Sequence, residues 1–70
     1  MDDGLDYLKD AVADVLLAAI VWVHPNKIAA VIEIDHWVVE DVLAELRLEG
    51  RAEKRIIVGQ PQWRSRRSFW

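Results

Sequence analysis

The sequence predicts a mainly α-helical domain closed by a small antiparallel β-hairpin. Three observations predict it. Apolar residues recur at helical spacing through the first fifty positions, and the period changes to that of a strand near Arg51. Pro25, Asp35 and Gly50 stand where helices start or stop. Gly59-Gln60-Pro61 separates two short β-prone runs. Seventy residues make one domain, expected over 1–66 with a basic and aromatic tail at 67–70. A core this small is marginal and often gains burial from oligomerisation.

Asp2 or Asp3 suits the cap of a first helix, and Asp6 suits the positive end of its dipole. Leu5, Leu8, Val12, Val15, Leu16, Ala19 and Val23 form one apolar face. The opposite face begins polar with Asp6, Lys9, Asp10 and Asp14, then turns apolar at Leu17, Val21 and Trp22. The late half is therefore apolar nearly all round, as in a segment buried on more than one side. Core packing and a subunit contact both account for it. The second account puts Leu16, Leu17, Ile20, Val21 and Trp22 in a homodimer interface.

His24-Pro25 is expected to end this helix, because the residue before a proline is pushed out of the α region. Pro25 suits the first turn of the next helix. Lys27 to Glu33 reads as that second helix, with Ile28, Val31 and Ile32 inward. Asp35 is the expected cap of a third helix, whose buried stripe is Val38, Val39, Val42, Leu43 and Leu46. Gly50 supplies its stop. Arg51 to Val58 reads as a strand, Gly59 to Pro61 as a turn and Gln62 to Arg66 as the returning strand.

Charge divides the chain at the same point. Residues 1–50 hold eleven acids against Lys9, Lys27 and Arg47. Residues 51–70 hold Arg51, Lys54, Arg55, Arg64, Arg66 and Arg67 against Glu53. The formal net charge of −3 thus conceals a strong dipole. Such asymmetry points to an anionic partner at the basic end. Charged strands also protect a hairpin from edge aggregation, and a basic tail also pairs with an acidic body. Six cations against one acid exceed what edge protection needs.

The stretch Ile28-Ala29-x-x-Ile32-x-Ile34-Asp35-x-x-Val38-Val39-x-x-Val42-Leu43-x-x-Leu46-x-x-x-Gly50 resembles the core of winged helix-turn-helix domains of small bacterial and viral transcription regulators. The likeness covers residues 25–66. It implies a small residue, Ala29, at a close helix crossing, a hydrophobic turn residue, Ile34, and a β-hairpin wing after Gly50. It also implies that the third helix enters the DNA major groove while the wing lies along the backbone. His36, Trp37, Glu40 and Asp41 would then face the groove, with Ala44 a turn later. The chain departs from the family's usual chemistry here. Its third helix is acidic, where readers of DNA place Arg, Lys, Asn, Gln, Ser or Thr. DNA contact is therefore expected to be led by the wing, with the third helix tangential.

Gly59-Gln60-Pro61-Gln62-Trp63-Arg64 also resembles the proline–tryptophan wing of winged helices that bind left-handed DNA. Those domains need an asparagine and a tyrosine on the third helix. Glu40 and Ala44 stand at those positions.

Other residues carry plainer expectations. Trp63 is expected to pack on Ile56 or Val58, and Trp22 in the core or a dimer interface. Trp37 beside acids suits a protein interface. Phe69 and Trp70 belong to the tail. His24 and His36 lack metal-ligand spacing, and the chain has no cysteine. No Gly-rich phosphate loop and no nucleophile–base pair is in view, so neither a cofactor nor an enzyme is expected. The acidic N-terminus is unlike a secretion signal, and the run Val15 to Val23 is too short for a bilayer. A cytoplasmic protein without membrane contact is expected. The leading expectation is a dimeric transcription regulator that binds double-stranded DNA through Arg51, Lys54, Arg55, Arg64, Arg66 and Arg67, with His36 and Trp37 alongside. The rival is a winged helix that binds or inhibits another protein through the acidic third helix and Trp37, or serves as an acidic decoy.

Overall fold

Three helices and one hairpin follow in the expected order: α1 (Asp3–Ala18), α2 (Pro25–Ile32), α3 (His36–Leu48), β1 (Ala52–Ile57) and β2 (Gln60–Ser65). This computed structural model describes residues 3–19 and 21–66, with side chains from Asp6 onward. Asp2, Ile20, Arg67, Phe69 and Trp70, together with the expected tail, lie outside what is described, as do the side chains of Asp3 and Leu5.

The core draws on every element. Val12 and Leu16 come from α1, Ile28 from α2, Val39, Val42, Leu43 and Leu46 from α3, and Ala52 and Trp63 from the hairpin. Val23 joins them from the segment between α1 and α2. Among the described residues no polar or charged side chain is buried. None of the described helices is long and apolar enough to cross a membrane.

Expectation and structure differ first at the end of α1. Apolar spacing carries the expected helix to Val23, but α1 stops at Ala18. Val23 instead pairs with Trp63 as an isolated antiparallel bridge, with N···O distances of 2.7 and 2.8 Å in the two directions. The segment thus adds a third, very short strand beside β2. Val21, Trp22 and Val23 are all β-prone, and an open strand edge satisfies their backbone as well as a helix would.

Helix α2 starts on a cap the sequence reading did not use. His24 Nδ1 accepts from the Asn26 amide at 3.0 Å, and Pro25 occupies the first turn. Pro25, Ile28, Ala29 and Ile32 face inward at i, i+3, i+4 and i+7. Val31 is not inward, as expected, but 55% exposed. It lies more than a quarter turn from the centre of that stripe. Glu33 ends α2 in the left-handed region at φ 60°, and the amides of Glu33 and Ile34 both bond to the Ala29 carbonyl.

Asp35 precedes α3 as its N-cap, but its side chain makes no cap hydrogen bond. The buried stripe is as expected, with Val38 half-buried at its margin. Gly50 closes α3 at φ 77°, where Gly50 N–H bonds to the Arg47 carbonyl and Arg51 N–H to the Leu46 carbonyl. This pairing satisfies the last carbonyls and turns the chain directly into β1. Lys9 of α1 bonds to Glu49 at the same end, tying α1 to α3. That hydrogen bond holds the Lys9 amine above its ordinary pKa and the Glu49 carboxyl below its own.

The hairpin turn also differs. It is a two-residue loop, Val58-Gly59, and not Gly59 to Pro61. Both loop residues have positive φ, 51° and 76°, the geometry that matches the twist of a tight hairpin. β2 therefore begins at Gln60, and Pro61 lies within it opposite Ile56. Trp63 turns its N–H toward Val23, so Pro61, of the same parity, turns its ring nitrogen away from β1. No ladder bond is lost, which is why a proline is tolerated there.

Candidate nucleic-acid interface

The hairpin divides its cations between two faces, because side chains alternate along a strand. Lys54 shares a face with Ala52, Pro61 and Trp63, which meets α3. Glu53, Arg55, Gln62 and Arg64 share the outer face. In sequence the basic residues form one set. Alternation splits them between faces, and the ladder register decides which residues of β2 join each face.

Trp22 organises the outer face. The Val23 bridge sets Trp22 beside β2, half-buried. The guanidinium carbons of Arg55 and Arg64 lie 4.3 and 4.6 Å from its ring centre. Such contacts contribute roughly 0.5–1 kcal/mol each at an exposed site. They fix the direction of two long side chains and leave both charges intact. Arg55 Nε also donates to Gln62 Oε1 at 2.9 Å, a neutral partner. His24 Nε2 and Gln60 Oε1 are 3.1 Å apart and lock the bridge segment to β2. Trp22, expected in the core or a dimer interface, is thus a support for the basic face.

Ion pairs show which cations are spoken for. Arg51 lies 3.3 Å from Glu49 and 3.7 Å from Asp10, so it belongs to the end of the helical body. Arg64 bonds to Glu53 at 2.8 Å, and Arg66 is 3.8 Å from the same carboxylate. Among the described residues, Lys54 and Arg55 have no carboxylate within ion-pair distance, and Lys54 Nζ lies 5.6 Å from the Trp63 ring centre. Glu53 shared by two arginines was not foreseen. The register Glu53↔Arg64 requires knowledge of the turn.

Between α3 and the inner face lies a cleft of about 730 Å³. Glu40, Ala44, Arg47 and Leu48 line it from α3, Lys54, Pro61 and Trp63 from the hairpin, and Pro25 from the start of α2. The two helix positions and two wing residues compared above with left-handed-DNA binders meet here. Trp63 is 4% exposed and sits in the domain core, where the sequence reading had it packing on Ile56 or Val58. Those two residues are exposed, 58% and 95%. The cleft pairs one acid, Glu40, with two cations, Arg47 and Lys54.

His36, Trp37, Glu40 and Asp41 are all exposed on α3, Trp37 to 58%. Of the residues expected at a subunit contact, Leu16 is 1% exposed and is used up in its own core. Leu17 and Val21 are open, at 40% and 64%. Among the described residues no cluster of His, Asp or Glu is arranged to hold a metal ion.

No protein-family model matches the sequence, and no curated protein matches it. Among solved structures the chain is similar to the apo-Zalpha of zebrafish PKZ, with a TM-score of 0.84 and 14% identity over 93% of this chain and 100% of that one. The likeness establishes a winged-helix fold.

Proposed function

We propose that this chain is a small DNA-binding module that holds double-stranded DNA mainly through its basic hairpin and acts as a transcription regulator. The observation that carries this reading is the outer face, where Trp22 holds Arg55 and Arg64 side by side, Arg55 with no carboxylate beside it and Arg64 sharing Glu53 with Arg66. Lys54 and Arg66 widen the basic surface, and Arg67 follows in sequence. The fold supports the same reading, since a winged helix presents its hairpin to the DNA backbone. α3 contributes less, because Asp35, Glu40, Asp41 and Glu45 would face a row of phosphates. Such a role places the protein with intracellular DNA. A homodimer joined through Leu17 and Val21 fits the open apolar surface at the end of α1, where Val15, Ala19 and Val21 line a shallow groove.

The test is an anisotropy titration on mixed-sequence duplex at two salt concentrations. Binding should weaken steeply as salt rises, because neutralised phosphates release counterions. Glu40→Gln and Asp41→Asn should strengthen it or leave it unchanged. Failure to bind any duplex at low salt overturns the reading.

Trp37 favours a second reading. An exposed tryptophan among acids on α3 suits a protein partner with a basic or apolar surface. Binding of that kind would survive loss of the wing arginines and would be lost in Trp37→Ala.

A further inference from the structure

Val58 occupies a backbone position that its side chain disfavours. Its φ is 51°, in the left-handed region where a β-branched residue is strained and where Asn, Asp or Gly sits readily. Val58 is 95% exposed, so no packing among the described residues accounts for a valine there. Ile56 and Ile57 beside it are 58% and 42% exposed. They point to opposite faces of the hairpin, Ile56 with Pro61 and Ile57 with Gln60. The hairpin therefore ends in a narrow cap of three β-branched aliphatic side chains. Hairpin ends are normally polar, because exposed apolar strand ends promote aggregation.

A cationic band lies just behind this cap. Lys54 and Arg55 sit four and three residues from Val58 along β1, and Arg64, opposite Glu53, sits five steps back. At about 3.3 Å per residue the cap projects roughly 10–13 Å beyond Lys54 and Arg55. The B-DNA major groove is about 8.5 Å deep and about 12 Å wide, and it admits a two-stranded ribbon. Phosphates line its rim, and thymine methyl groups are the apolar features of its floor. The match is one of charge as well as length, with cations at the rim and aliphatic groups at the floor. An anionic membrane would also attract cations with an apolar tip. A membrane hairpin places its tryptophans at the interface, whereas Trp22 lies under the arginines and Trp63 in the core.

We propose that the hairpin enters the major groove of B-form DNA tip first, with Val58 against thymine methyl groups and Lys54 and Arg55 on the phosphates at the rim. This deepens the DNA-binding reading and rests on it. The site is a methyl-sensing tip, and it makes the chain prefer duplexes that present thymine at the point of contact.

The test compares two duplexes of the same A·T-containing sequence, one with thymine and one with deoxyuridine throughout. Wild type should bind the thymine duplex more tightly, by about fourfold for each methyl group buried. Val58→Asn should bind both duplexes equally, at the level of wild type on deoxyuridine. Asparagine accepts the positive φ, so this variant should melt no lower than wild type. Equal binding of wild type to both duplexes overturns the proposal while leaving DNA binding standing. An undiminished preference in Val58→Asn overturns it too. If phosphatidylserine vesicles retain wild type but not Val58→Asn, and duplex affinity is the same for both, the tip is a membrane contact and the proposal is wrong. Failure of wild type to bind either duplex at low salt removes the DNA-binding reading itself.

Discussion

Loss of the Arg55 guanidinium should flatten the salt dependence of DNA binding, whereas loss of the Arg51 guanidinium should not. Both residues are exposed arginines at the start of the hairpin, and the sequence offers no reason to separate them. The structure does. Arg51 is held by Glu49 and Asp10, while the partners of Arg55 are the Trp22 ring and the Gln62 amide, which are neutral. Each phosphate neutralised contributes roughly 0.9 to the slope of log K against log salt. The cations not tied to the helical body are Lys54 on the inner face and Arg55, Arg64 and Arg66 on the outer, and Glu53 offsets one of them. The slope should then lie at about −2.7 to −3.6. Between 50 and 200 mM salt each such contact costs a factor of roughly 3.5, so wild type should lose about 40- to 150-fold in affinity. Arg55→Ala should lose about 10- to 40-fold over the same range. Anisotropy titrations at several salt concentrations read these slopes directly. Glu53→Gln should steepen the slope by up to about one unit, because it releases Arg64 and Arg66. If Arg51→Ala flattens the slope as much as Arg55→Ala does, the division of the basic residues is wrong.

Three further outcomes are expected. Ala29→Leu should destabilise the fold by roughly 1–3 kcal/mol, because Ala29 packs from α2 against the core; that lowers the melting temperature by roughly 5–20 °C, and an unchanged value in calorimetry would mean that the packing there has room to spare. Leu17→Glu or Val21→Glu should convert a dimer into a monomer in sedimentation without lowering helicity, since both side chains are open in the single chain; a wild type that is monomeric at high micromolar concentration refutes the dimer. The Lys9–Glu49 pair should stabilise the fold across neutral pH. Glu49 has its pKa lowered on folding, so its contribution is present above the ordinary carboxylate range and is lost as pH falls through its folded value. Lys9 has its pKa raised, so its contribution is present below the ordinary amine value and is lost as pH rises through its folded one. Glu49→Gln should weaken the acid limb of a melting-temperature profile, and an unaltered acid limb would show that the pair carries no stability.

What the sequence by itself determined is local. Apolar spacing set the inward faces of α1 and α3, because a helix presents the same stripe wherever it packs. Pro25, Asp35 and Gly50 marked boundaries through backbone restrictions that act within a few residues. The charge division between body and hairpin was also legible, since it depends on composition alone. The tertiary structure decided what depends on residues far apart in the chain. Val21 to Val23 satisfy a helical pattern, yet Val23 bonds to Trp63, forty residues away, because β2 offers an open edge. That bridge brings Trp22 beneath Arg55 and Arg64, so the contact that organises the outer face had no local signal. The turn fell at Val58-Gly59 and not around Pro61, and a shift of register reassigns every side chain to a face. Only then did Lys54 come to face Trp63 and Glu53 meet Arg64. Leu16 and Leu17, neighbours in one apolar run, ended with the first in the core and the second at the surface, because a helix turns about 100° between them.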